Sequence, residues 1–518
     1  MSQSVSGTPA KQMTPTPSAP SASQIPDLIK IGSIPTSTVM DVETDILEPV
    51  VQSETFCRFT LENKGILHSH SKIQFCLSSP VHSYLPVNIG IAALIQRATL
   101  KVGNKTLCEI DDFNYYTAYR SMFMSNETMR ERLMYQTGQI VSHKMAYLNE
   151  HLQDGAAGLS GGGASNTDAG ANTSAGAAPS AATGGLYLDT GAYWQDSIST
   201  YTTIDEISMP TSSTLKADVA APTWQFSLAD LFPFLKINQL PLYMMKEQIN
   251  LEFVFSAAGI TGTSAGDRGW IKAGQTASQA ITLVQTETRM IADYIFYPQE
   301  MMVQYANANK KLQFTYVDYR LSKYSVEYGG ATGVSGTQIR NLGGAGRLVS
   351  KVVSCLSPPT ALAGEAFMMR SYAAESNGRD YATGDAANAA RVNGITTLNL
   401  KMNDDFLFPI DVTNSSRHFH NVVGAEGLVP FVSREEYSNE GQSLSARTMA
   451  GQVLNTNLAG RFFWNAFKIN KAERVNSRGI ELYFANDKMT TGVYTQRAWL
   501  ELVRYATIED GYTECYFA

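Results

Sequence analysis

The chain repeats itself. Leu231-Phe232-Pro233-Phe234-Leu235-Lys236-Ile237-Asn238 resembles Phe463-Trp464-Asn465-Ala466-Phe467-Lys468-Ile469-Asn470 at an offset of 232. Leu251–Phe255 (LEFVF) resembles Ile480–Phe484 (IELYF) at an offset of 229, and Ala292–Tyr297 (ADYIFY) resembles Leu500–Tyr505 (LELVRY) at 208. The order is kept: an apolar motif ending in Lys-Ile-Asn, an alternating strand, a loop, a long strand. The last loop accounts for the shrinking offset, being Gly- and Ala-rich from Ala257 to Ala280 in one copy and short, Asn486–Gln496, in the other. Copies that differ mainly in loop length mark a duplicated domain, because surface loops tolerate insertion. Two like units are therefore expected.

Each unit reads as β-structure. Thr55–Leu61 and Lys72–Leu77 are strand-like runs, and Leu94–Val102 breaks at Gly103-Asn104 before resuming at Lys105–Ile110, a hairpin signal. Asn114–Gln136 carries Tyr115, Tyr119, Met122, Phe123, Met129 and Leu133 at helical spacing and predicts one or two helices. The second copy opens with the alternating Lys311–Leu321 and continues through Leu348–Leu356 and Thr396–Leu400. Many strands, Gly- and Asn-rich turns and few helices predict sandwiches or jelly rolls in both halves.

Two segments stand outside this pattern. Residues 1–27 hold five prolines with Lys11 and Asp27 the only charges, the composition of a flexible tail. In Gly155–Gly185, Gly, Ala and Ser fill 23 of 31 positions and Asp168 is the only charge, too little bulk for a core or a salt-bridged interface. It is expected to be an external loop inserted in the first unit, with Ala373–Gly394 its counterpart in the second. The domains are accordingly 1–27, the tail; 28–298, the first unit with insertion 155–185; and 299–518, the second unit.

Composition narrows the function. Charged residues are only 17% of the chain, below the roughly 25% usual for soluble domains, as expected where much outer surface meets partners. The net charge of −7 opposes a protein that coats nucleic acid, and no sequence-specific nucleic-acid binding is expected. Cys57, Cys76, Cys108, Cys355 and Cys515 are scattered without a CxxC pair, as expected of buried thiols in a reducing compartment. With no apolar segment after Met1 and no run of about 18 apolar residues, synthesis inside a cell without secretion is the expectation.

No set of residues reads as catalytic. His68-Ser69-His70 and His418-Phe419-His420 would each place two imidazoles on one strand face, but no acidic or Cys residue stands at ligand spacing beside either pair, although Cys76 and His82 lie downstream of the first. Gly343-Gly344-Ala345-Gly346-Arg347 lacks the Lys-Ser/Thr of a phosphate cradle and reads as a loop. Asp404-Asp405 and Glu435-Glu436, the candidates for a carbohydrate-cleaving pair, would point to opposite strand faces. The basic residues Arg461, Lys468, Lys471, Arg474 and Arg478 lie among Phe462, Phe463, Trp464 and Phe467, a mix that can bind single strands. Because rings recur at Phe232 and Phe234 without the charges, core packing is the better reading of the rings. The charges then face a neighbouring subunit or the interior of an assembly. No catalytic, cofactor or metal residue is assigned, and the chain is expected not to be an enzyme.

The stretch Phe467–Phe484, with Asn470-Lys471-Ala472-Glu473-Arg474-Val475-Asn476-Ser477-Arg478-Gly479-Ile480-Glu481-Leu482, resembles the double jelly-roll major capsid proteins of polinton-like viruses and virophages, a lineage shared with adenoviruses and tailless phages. Trp499–Glu501, Cys515–Ala518 and Gln239-Leu240-Pro241-Leu242 are similar to the same family. The resemblance implies an all-β chain of two tandem eight-stranded jelly rolls with long loops and a few short helices. It further implies a pseudo-hexagonal homotrimeric capsomer in the icosahedral shell of a double-stranded DNA virus. Neighbouring capsomers, penton proteins, minor or cement proteins and an internal membrane are the partners such a shell would offer, and the virion is where the protein would reside. The competing reading is a carbohydrate-binding or carbohydrate-active β-sandwich.

Overall fold

The computed structural model describes residues 40–53, 55–78, 90–123, 136–137, 223–255, 282–283, 287–328, 334–357, 394–413, 415–430, 437, 448–449, 452–453, 464–470, 473–489 and 492–518. The tail 1–27, the insertion 155–185 and residues 373–393 lie outside them, as do most of the helical signal beyond Phe123 and the residues Glu435-Glu436, Arg461, Phe462, Phe463 and Lys471.

Eight principal strands form the first unit: β1 (Asp41–Leu47), β2 (Phe56–Leu61), β3 (Lys72–Ser78), β4 (Ile95–Val102), β5 (Lys105–Asp111), β6 (Thr223–Ser227), β7 (Ile249–Phe255) and β8 (Arg289–Phe296). They pair antiparallel into two sheets, β1-β8-β3-β6 and β2-β7-β4-β5. The second unit has β9 (Lys311–Tyr328), β10 (Val334–Gly343), β11 (Val349–Ser357), β12 (Gly394–Met402), β13 (Asp405–Phe406), β14 (Asn465–Lys468), β15 (Ile480–Met489) and β16 (Gly492–Glu509). Its sheets are β9-β16-β11-β14 and β10-β15-β12-β13. Counting strands within each unit, both give 1-8-3-6 and 2-7-4-5, the strand order of a jelly roll. A last strand, β17 (Tyr512–Phe517), folds back on the end of β16.

Alternation explains the layers. In β2 the residues Cys57, Phe59 and Leu61 are buried while those between are not, and β7 buries Ile249, Leu251, Phe253 and Phe255. Phe75 of β3 meets Phe253 of β7 edge to face at 6.5 Å, joining the two sheets of the first roll. Among the described residues, short helices joining the strands are α1 (Phe113–Ser121), α2 (Leu228–Leu231), α3 (Pro233–Ile237), α4 (Gln299–Ala308) between the rolls, and α5 (Ser415–Glu426). The hairpin expected at Gly103-Asn104 joins β4 to β5, with Gly103 at φ 57, a conformation that costs glycine little.

Two of the three repeated motifs are structural equivalents: Leu251–Phe255 and Ile480–Phe484 both lie in the seventh strand, and Ala292–Phe296 and Leu500–Arg504 in the eighth. The first is not. Pro233–Ile237 is helix α3, following the sixth strand of its roll, whereas Asn465–Lys468 is itself the sixth strand. Pro233 fits the first turn of a helix, where its missing N–H would have no partner in any case.

Candidate functional site

The residues singled out from the sequence do not converge. His68 and His70 sit in a turn rather than on a strand; the His70 N–H donates to His68 Nδ1 at 3.0 Å and the rings touch edge to face at 4.5 Å. His418 and His420 lie on α5, not on a strand, so two positions apart turns them to different sides: His418 is buried and His420 exposed. Gly343–Arg347 is the turn from β10 to β11, with Gly343, Gly344 and Gly346 at positive φ. Asp404 lies at positive φ in the β12–β13 turn and pairs with Arg478. Of the basic and aromatic cluster, Trp464 and Phe467 are in the core while Lys468, Arg474 and Arg478 are exposed.

The most heavily built polar feature is instead a seam between the rolls. Strand β5 is an edge of its sheet, with backbone groups facing away from it. Such an edge invites pairing by another chain unless it is covered. Side chains of the second roll cover it. Tyr316 Oη donates to the Leu107 carbonyl at 2.6 Å, and Arg504 donates to the carbonyls of Leu107 and Thr106 at 3.3 Å each. The Glu109 N–H donates to Asp318 at 3.0 Å, and Trp499 Nε1 donates to the Asp111 carbonyl at 2.9 Å.

Three buried ionic groups reinforce this line. Arg504 bonds Asp318 at 2.6 Å. Arg497, fully buried, bonds Asp112 of the first roll at 2.9 Å and Ser357 at 2.8 Å, and its guanidinium lies 3.5 Å from the Tyr115 ring centroid. Lys351 lies 2.6 Å from Glu426 and 3.0 Å from Glu501, and Tyr119 of α1 donates to Glu426 at 2.5 Å. Burial would lower the Lys351 ammonium, but the Glu501 and Glu426 carboxylates outweigh it and raise it. Burial pushes the Asp318 carboxyl up, against the pull of Arg504 and the Glu109 N–H. Around these pairs Tyr116 packs on Tyr319 and Trp499, with centroids at 4.9 and 5.6 Å, and Phe234 on Tyr316 at 5.0 Å. The Arg497–Asp112 pair, buried in an aromatic seam, costs too much to separate for the rolls to move independently. Chemically the arrangement joins; its titratable groups are consumed by one another.

The sequence reading missed these residues. Their signal was present as charges inside apolar strands: Asp318 in KLQFTYVDYRL, Arg497 and Arg504 in QRAWLELVRY.

No family model and no curated protein matches the chain by sequence. Solved structures do match by shape. The mavirus major capsid protein superposes with a TM-score of 0.50 at 10% identity, covering 99% of this chain and 96% of that one. A chain of the Sputnik virophage structure gives 0.51 at 9% identity, covering 99% and 93%. At such low identity what is shared is the fold, and the strand orders and the matched shape agree on it: the chain is a double jelly roll, built as the mavirus major capsid protein is.

Proposed function

We propose that this chain is the major capsid protein of a double-stranded DNA virus, acting as a pseudo-hexagonal homotrimeric capsomer of an icosahedral shell. The observation that carries the reading is the seam: two rolls of one strand order, joined by the buried Arg497–Asp112 pair and by hydrogen bonds to β5, make a rigid tile with two similar units. Three such tiles present six similar units, which suits a hexagonal lattice, and contacts between unlike faces close such rings. The protein would then work by assembly and not by catalysis, and reside in the virion. Its partners would be its own copies, penton and minor capsid proteins, and an internal membrane where the virus has one. On this reading 28–298 would be the first unit and 299–518 the second, with 1–27 as an assembly tail and 155–185 as an outward loop. Light scattering at micromolar concentration tests the reading: the expected mass is that of three chains, and a monomer throughout that range would refute it.

A further inference from the structure

The two rolls share a strand order but are closed differently where the eighth strand ends. Setting Ala292–Tyr297 on Leu500–Tyr505 places Phe296 of β8 on Arg504 of β16. In the first roll the Phe296 ring packs on the core and lies against the turn from β2 to β3, where a Cβ on Gly65 would sit 3.1 Å from it. An apolar ring is what the hydrophobic effect favours at such a place. In the second roll the same place holds three arginines. Phe517 of β17 pairs with Arg504 across the hairpin, and the Arg504 Cζ lies 4.5 Å from its ring centroid. Arg347, from the turn between β10 and β11, lies with its Cζ 3.6 Å from the same centroid. Arg320 of β9 reaches the start of that turn, its Cζ 3.5 Å from where a Cβ on Gly343 would be. Arg504 is consumed by Asp318 and by the carbonyls of β5. Among the described residues, the guanidiniums of Arg320 and Arg347 meet no carboxylate and no hydrogen-bond acceptor. Arg347 is partly buried and Arg320 exposed, so the pair opens to solvent. Burial, with the charges of Arg320 and Arg504, lowers the pKa of Arg347. Charges gathered in this way are destabilising until an anion joins them.

We propose that Arg347 and Arg320 form a binding site for a phosphate dianion, either inorganic phosphate or a phosphate monoester. Planar guanidiniums offer paired donors that match phosphate oxygens. Two unpaired positive charges balance a dianion, whereas a single carboxylate would leave one of them over. Phe517 supports the Arg347 guanidinium, and Gly343 leaves room for that of Arg320. The Gly-rich turn lacks the Lys-Ser/Thr of a nucleotide cradle, so the phosphate is held by side chains and the site binds without transferring it. The site belongs to the folded chain and does not rest on the capsomer reading.

Titration calorimetry of the intact protein at low ionic strength tests this. Inorganic phosphate should bind at a single site per chain with a Kd of about 1 mM or tighter, and acetate about tenfold or more weakly than phosphate. Adenosine monophosphate separates the two sources: an affinity equal to or below that of phosphate assigns the site to free phosphate, and a tighter one to a nucleotide monoester. Arg347→Gln and Arg320→Gln should each weaken phosphate binding by about tenfold or more with the circular dichroism unchanged, since neither side chain holds an ion pair of the fold. Arg478→Gln, at an exposed arginine already paired with Asp404, should bind phosphate as the parent does. A further readout uses the parent chain alone: phosphate at about 10 mM should raise its melting temperature above that in acetate of matched ionic strength. Absence of saturable binding to the parent, acetate binding as tightly as phosphate, or parental affinity in both Arg347→Gln and Arg320→Gln overturns the proposal. An equal loss in Arg478→Gln overturns it too, by showing general attraction to a basic surface. None of these results alters the mass expected of the assembly, so a failure here leaves the capsomer reading standing.

Discussion

Asp112 holds a backbone position that few residues tolerate, φ 46 and ψ 46 at the start of α1, and its carboxylate reaches Arg497 across the seam. Removing one partner of a buried pair strands the other charge, so Asp112→Ala should cost about 3–5 kcal/mol in urea unfolding. Asp112→Ala combined with Arg497→Met should cost less than Asp112→Ala alone; a double variant that is the weaker of the two would contradict the account. Lys311→Ala, which removes an exposed pair with Glu509, should leave the unfolding midpoint unchanged. His418 makes a prediction in pH. Burial lowers its pKa to about 3, against about 6.5 in the unfolded chain. The unfolded state therefore takes up a proton that the folded state refuses. Stability present above pH 6.5 is lost as pH falls towards 3, by about 1.4 kcal/mol per pH unit from this residue. His418→Gln should flatten the fall of the urea midpoint between pH 6 and 4; an unchanged slope would show that His418 does not titrate in that way.

At the scale of elements, alternation made β2, β3, β4, β5, β9 and β11 legible, and the Gly103-Asn104 signal gave the first hairpin. What stayed hidden had physical causes. Strand β1 alternates against the usual sense: Val42 and Ile46 are exposed, while Asp41, Glu43 and Asp45 stand at the positions between them. The sixth strand of the first roll is only Thr223–Ser227, next to Pro-bearing helical turns that resemble the strand of the second copy. Helix α5, SSRHFHNVVGAE, contains Val422, Val423 and Gly424, poor helix formers by propensity; it is held by packing on β14. In the candidate site the aromatic rings were legible as core, but the ion pairs were not, since a charge inside a strand shows its partner only once two rolls meet. The stretch that carries the family resemblance contains one position where backbone geometry decides. Gly479 has φ 79, and a Cβ there would sit 2.8 Å from the Gly343 carbonyl oxygen. Gly479→Ala should cost about 1–3 kcal/mol through strain in the turn before β15, read as a lowered melting temperature. A melting temperature equal to the parent's would show that the turn relaxes freely.

For the whole molecule, duplication and the seam act together. Two rolls of one strand order give a tile with repeated edges, and the buried pair Arg497–Asp112, with the contacts of Arg504 and Asp318 to β5, fixes the angle between them. The low charge content fits a surface that is largely covered in an assembly. The central claim is that the chain is a capsomer-forming tile, and electron microscopy of the purified protein tests it most directly. Class averages viewed down the particle axis should show six lobes in a pseudo-hexagonal outline made from three chains. Isolated two-lobed particles, at concentrations where the protein is soluble and folded, would contradict it.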